Sequence, residues 1–203
     1  MLIIVFVFIV FFIAQAILLT LPLVLINLYE KEEDRFCFSL VDKIGVSIFA
    51  GLCGVVMFVN YDFSGMFLKV SILMLILNLI GLIDFRTGNV YFFIDLVLLI
   101  VGVIFYLSLH DLVLSEILSS GIIMLLICII SKTLNGMNWG DVEVFTVLSL
   151  ILGYGVFSVM FLAMAIGGIF AIVNWIVKKK PLFGRIPLCH CIAIGYVVSI
   201  FVQ

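Results

Sequence analysis

The chain has 203 residues, of which 67% are hydrophobic and 11% charged, with a formal net charge of −2. Soluble globular chains are nearer to about half apolar and a quarter charged, so this composition excludes an ordinary water-soluble enzyme and indicates a chain dissolved in lipid. The length suits one membrane-embedded domain, 1–203, without a separate soluble part, and no basic stripe offers itself to nucleic acid.

Apolar runs, delimited by charged or Gly/Asn-rich interruptions, fall near 1–28, 44–60, 65–83, 89–109, 112–131, 141–153, 155–177 and 186–202. A membrane-spanning helix needs about 20 apolar residues, so the expected fold class is all-α, a polytopic bundle of about eight transmembrane helices. The first run lacks a basic start and exceeds the roughly 7–15 apolar residues of a signal peptide, so it reads as a first span. Residues 1–43 then comprise that span and a short loop, and 44–203 a helical bundle that carries the chemistry. The stretch 141–177 is ambiguous. As one helix it would reach about 55 Å, too long for a single crossing; folded at Gly153-Tyr154-Gly155 it gives two spans, the first short.

Charge favours the fold at that turn. Lys and Arg collect on the cytoplasmic side of membrane proteins. With eight spans, one side holds Lys31, Arg35, Lys43, Arg86, Lys132, Lys178, Lys179, Lys180 and Arg185. The other holds Asp62, His110, Asp111 and Glu116, and Lys69 lies close to that end of its span. This arrangement puts both termini outside.

Small residues such as Gly51, Gly54, Ala163, Gly167 and Gly168 read as helix-packing positions. Gln15, Asn78 and Asn174 read as polar bridges between helices. Cys37, Cys53, Cys128, Cys189 and Cys191 show no CxxC pair, and membrane cysteines of this kind serve mostly as small apolar side chains. Cys189-His190-Cys191 is their single cluster; a zinc site generally needs four placed ligands, so no metal is expected.

Two aspartates stand where apolar runs meet short polar loops: Asp84 in Gly81-Leu82-Ile83-Asp84-Phe85-Arg86-Thr87-Gly88, and Asp141 in Asn138-Trp139-Gly140-Asp141-Val142-Glu143. A carboxylate at the edge of hydrocarbon is costly and marks a function by default. The topology sets both at the cytoplasmic face. Two carboxylates a few ångströms apart share one proton. The ionised partner can take a proton from a water that attacks a peptide carbonyl, while the protonated partner polarises that carbonyl. Such hydrolysis needs no cofactor. Thr87, one turn beyond Asp84, is placed to hydrogen-bond that carboxylate. Gly140 permits close backbone approach beside Asp141. Glu143 and Asp95 are further acids near the same face, with Asp95 roughly 9 Å into its span. Asp84 and Asp141 could instead be helix caps, since Asp is a favoured N-cap residue. Spacing alone leaves both readings open.

Ile83-Asp84-Phe85-Arg86-Thr87-Gly88-Asn89-Val90 resembles the first aspartate motif of the type IV prepilin peptidases, and Trp139-Gly140-Asp141-Val142 resembles that family's second, GxGD followed by Val-Lys. Gly184-Arg185-Ile186-Pro187-Leu188 resembles the Ile-Pro segment opening its last span. The order and spacing agree, over roughly residues 40–203. Departures stand beside the matches: Asn138 replaces the first Gly of GxGD, Glu143 stands where Lys is usual, Val90-Tyr91 replaces Ile-Pro, and Cys189-His190-Cys191 replaces a Gly-Pro pair.

The resemblance implies an intramembrane aspartic endopeptidase of the inner (cytoplasmic) membrane, with Asp84 and Asp141 as its catalytic pair. Its partners would be type IV prepilin or pseudopilin precursors, cut to release a basic leader, and the surrounding bilayer. Glu143, and the cluster Glu30, Glu32, Glu33 and Asp34, could attract that leader; the cluster reads equally as a solvated loop. Larger members carry two CxxC pairs in a zinc-binding loop linked to N-methylation. Here loop 29–43 holds only Cys37, which implies peptidase chemistry without that module. Two other functions compete: a non-catalytic assembly protein of the pilus machinery on the same fold, and a proton-coupled transport component.

Overall fold

The computed structural model describes residues 1–29, 37–88, 92–109, 114–134, 139–178 and 188–202. Those residues form α1 (Leu2–Tyr29), α2 (Leu40–Tyr61), α3 (Gly65–Thr87), α4 (Phe92–Leu109), α5 (Leu114–Leu134), α6 (Trp139–Leu152), α7 (Val156–Lys178) and α8 (Leu188–Val202). Of the residues that the sequence singled out, Glu30, Lys31, Glu32, Glu33, Asp34, Arg35, Asn89, Val90, Tyr91, His110, Asp111, Asn138, Lys179, Lys180 and the segment Gly184-Arg185-Ile186-Pro187 lie outside the described residues.

The fold is an all-α membrane bundle. Among the described residues, four stretches are long and apolar enough to cross a membrane: Leu2–Thr20, Leu40–Tyr61, Gly65–Thr87, and Trp139–Val177, which takes in both α6 and α7. The polarity of the side chains is inverted relative to a soluble protein. Leu125, Phe161 and Ile176 are exposed, whereas Gln15, Asp84, Asp95, Asp141 and Ser149 are buried. Water would tolerate such an apolar surface badly, but lipid suits it.

Helix ends depart from the apolar runs for local reasons. At α2, the Ser39 hydroxyl accepts from the Asp42 amide (3.1 Å) while the Asp42 carboxylate accepts from the Ser39 amide (3.2 Å). This reciprocal cap starts the helix at Leu40, ahead of the apolar run. At α3, the helix continues past the last apolar residue to Thr87 and stops because Gly88 adopts φ 67°, with its N–H on the Asp84 carbonyl at 2.7 Å. That left-handed glycine is a common helix terminator. Asp84 therefore belongs to a helix and not to a loop. Between α6 and α7 the chain makes a 3-10 turn at Gly153–Gly155, with φ 53° at Gly153. The helix is thus interrupted at the Gly-Tyr-Gly turn.

The chain clusters into two units, Met1–Leu79 and Ile80–Gln203, the division falling within α3. In the first, α1 packs along α2 because Gly51 and Gly54 admit the rings of Phe8 and Phe11. Phe11, Phe58 and Phe63 then gather around Phe67, with ring centroids 5.7–6.1 Å apart. Asn78 does not bridge helices through its amide nitrogen: Nδ2 donates to the sulfur of Met74, one turn back on α3 (2.9 Å). In the second, α6 packs against both α4 and α5. Gly102 of α4 receives Val147 of α6. Gly195 of α8 lies against Val159 and Ala163 of α7, where a Cβ would come within 3.0 Å of the Ala163 nitrogen. Gly168, one of the expected packing positions, faces no atom within 4 Å.

Candidate active site

Asp84 lies in the last turn of α3 and Asp141 in the first turn of α6. The helix dipole favours an acid at the start of α6 but opposes one at the end of α3. Asp84 thus does not stand where a helix would choose a carboxylate for its own stability. Nor is it an N-cap. Both aspartates are buried, 2% and 1% exposed, so neither acts as a solvated surface charge.

The two acids converge at the start of α8. Gly81 makes this possible. A Cβ there would come within 2.9 Å of the His190 Cα and 3.3 Å of the Cys189 carbonyl oxygen, so only a glycine lets α3 approach α8 so closely. Asp84 is three residues on, on the same face of α3. The Cys189 amide then donates to Asp84 Oδ2 at 3.1 Å, and the Cys189 thiol donates to Asp141 Oδ1 at 3.0 Å. One oxygen of each carboxylate and the Cys189 sulfur all lie within 4.8 Å of one another. The pair is therefore close enough for a single water to touch both carboxylates.

Around this centre, Phe85 contacts Phe170 of α7 and His190 of α8, with ring centroids 6.3 and 5.6 Å away. Arg86 stands with its guanidinium carbon 6.0 Å from the Phe85 ring centroid. These contacts brace the end of α3 against α7 and α8.

The other residues singled out by the sequence are placed differently. Thr87, at the end of α3, donates its hydroxyl proton to the Ile83 carbonyl at 2.9 Å. Gly140 is half-buried in the first turn of α6. Asp95 lies in the first turn of α4, which begins at Phe92, and so is nearer the helix start than the apolar run implied. Asp95 and Glu143 line one cavity. Glu143 is two residues beyond Asp141, about 200° around the helix, and faces a separate cavity.

Cys189 and Gly81 are residues of this centre that motif reading passes over. Motif reading takes the cysteines as small apolar side chains and expects no metal at Cys189-His190-Cys191. The donor set Asp84, Asp141 and Cys189 offers a divalent ion two oxygens and one sulfur, one ligand short of the usual four for structural zinc. The chemistry the arrangement offers directly is that of paired carboxyl groups: binding a water, removing a proton from it and returning one elsewhere.

A family model described as the type IV leader peptidase family matches residues 71–172, half of the chain, a region that contains both Asp84 and Asp141. No curated protein and no solved structure matches the chain. A multi-pass helical bundle with two buried aspartates brought together from α3 and α6 thus carries the match, and the chain belongs to the type IV leader peptidase family, a family of proteases.

Proposed function

We propose that the protein is an intramembrane aspartic endopeptidase in which Asp84 and Asp141 together activate water. The carrying observation is the convergence of two buried carboxylates on Cys189, their oxygens within 4.8 Å. In this mechanism one carboxylate removes a proton from the bound water as its oxygen attacks the scissile carbonyl carbon. The other carboxyl group, protonated, hydrogen-bonds the carbonyl oxygen. The tetrahedral species collapses as the C–N bond breaks and a proton passes to the leaving nitrogen. No covalent enzyme intermediate forms. Cys189 holds both carboxylates, and Gly81 lets it reach them. Gly140 and Glu143 support the start of α6.

The substrate class follows from family membership and from the membrane setting. It is a type IV prepilin or pseudopilin precursor, whose basic leader stays in the cytoplasm while its apolar helix lies among the spans. The bias of Lys and Arg to one side supports an inner-membrane orientation with the aspartates facing the cytoplasm. The whole chain, 1–203, serves as one peptidase domain.

Co-expression with a type IV prepilin, with precursor size followed by immunoblot, tests this reading. Wild type should shorten the precursor. Failure to cut several prepilins, the cognate one included, at normal membrane abundance would replace the peptidase with an assembly protein on the same fold.

A further inference from the structure

Hydrolysis by paired carboxyl groups asks of Cys189 only a proton donor, and a serine hydroxyl is the stronger donor. A sulfur brings what an oxygen does not, an affinity for soft metal ions. The Cys189 Sγ lies 3.0 Å from Asp141 Oδ1, and with one oxygen of each aspartate it forms a triangle no more than 4.8 Å on a side. The three side chains come from three helices, the end of α3 and the starts of α6 and α8, and are only 1–2% exposed. In tetrahedral zinc, with Zn–S about 2.3 Å and Zn–O about 2.0–2.2 Å, such donors stand roughly 3.3–3.7 Å apart. Closing the triangle to that spacing asks for about 1 Å of movement, within the reach of side-chain torsions.

Three protein ligands leave one tetrahedral position open, the arrangement of zinc ions that hold a water or a substrate oxygen. Two carboxylates and a thiolate carry three negative charges, and a divalent ion offsets two of them in a site shut off from water. The thiolate favours zinc over magnesium or calcium. We propose that Asp84, Asp141 and Cys189 form a binding site for one soft divalent ion, zinc above all, and that the ion takes the place of the catalytic water and switches the peptidase off. As the ion enters, the Cys189 thiol proton and the proton shared by the aspartates pass to solvent, so that sulfur and both oxygens bind as anions. Carboxylates that ligate a divalent ion are poor bases and carry no proton. Neither is then left to activate a water or to hydrogen-bond the scissile carbonyl. The inhibition rests on the peptidase reading; the binding does not.

The test uses the purified full-length protein, without a histidine tag, reduced and metal-free in detergent, with cobalt(II) as a coloured stand-in for zinc. Wild type should take up one ion and show a sulfur-to-cobalt charge-transfer band in the near ultraviolet, and zinc, but not magnesium, should displace it. Cys189→Ser should lose that band, whereas Cys191→Ser should keep it. Asp84→Asn and Asp141→Asn retain the thiol and should each weaken binding by at least about tenfold. In the prepilin cleavage assay, free zinc at about ten times its dissociation constant should slow wild type about tenfold, with recovery on chelation. Cys189→Ser, measured against its own metal-free rate, should be insensitive to the same zinc. A reduced wild type without the band, a band that survives Cys189→Ser, or undiminished affinity in both aspartate variants would overturn the site. Cleavage that bound zinc leaves unchanged or accelerates would overturn the inhibition. A band removed by Cys189→Ser, in a protein that cuts no precursor even without metal, would keep the metal site and sink the peptidase reading instead.

Discussion

Cys189 reaches both aspartates through different atoms, its amide to Asp84 and its thiol to Asp141, and substitution can separate the two. Cys189→Ala keeps the amide bond and removes the thiol donor. A hydrogen bond to a charged group contributes about 1.5–3 kcal/mol, so kcat should fall roughly ten- to a hundredfold with KM little changed. Cys189→Ser restores a donor and should recover most of that loss. A thiol that merely fills space would give the opposite order, with Ala tolerated and Ser penalised for burying a hydroxyl. Asp84 and Asp141 stand out by residue type, because a carboxylate beside hydrocarbon demands a reason. The place of Cys189 between them is not legible in the sequence, since its partners lie 105 and 48 residues away in the chain. Nothing local marks a cysteine as a donor to two acids.

Among the helices, the closest approach that matters to the site is α3 against α8 at Gly81. Gly81→Ala would set a Cβ 2.9 Å from the His190 Cα, a backbone atom that no side-chain rotation can move aside. Overpacking of this kind costs about 1–3 kcal/mol. A lower melting temperature in detergent should accompany a loss of cleavage, because the Cys189 amide is drawn away from Asp84. Gly168→Ala, with no neighbour within 4 Å, should be neutral in both measurements. Equal effects of the two substitutions would contradict the packing assigned to Gly81. The turn between α6 and α7 gives an independent check. Gly153 holds φ 53°, which costs an L-residue about 1–2 kcal/mol, so Gly153→Ala should lower thermal stability while leaving Gly81 and the aspartates in place. The existence and order of the helices followed from runs of apolar residues broken by charge. Their ends did not, because those are set by single caps: the Ser39–Asp42 pair at α2 and Gly88 at α3.

For the whole molecule, the exposed apolar side chains and buried acids describe a multi-pass membrane protein, and the distribution of Lys and Arg supports the proposed orientation. Cys37 is exposed, whereas Cys53, Cys189 and Cys191 are buried. A membrane-impermeant maleimide should therefore spare Cys37 in intact cells and label it in inverted membrane vesicles. Labelling from outside would reverse the proposed orientation. The central claim is narrower: Asp84 and Asp141 act as one unit. It is tested most directly by single-turnover cleavage of a prepilin precursor by Asp84→Asn, Asp141→Asn and the double variant, at matched membrane abundance. Groups that act together are strongly non-additive. Each single substitution should lower the rate by at least about a thousandfold, and the double variant should be no slower than either. Substantial cleavage by either single variant, or losses that multiply in the double, would contradict the paired mechanism.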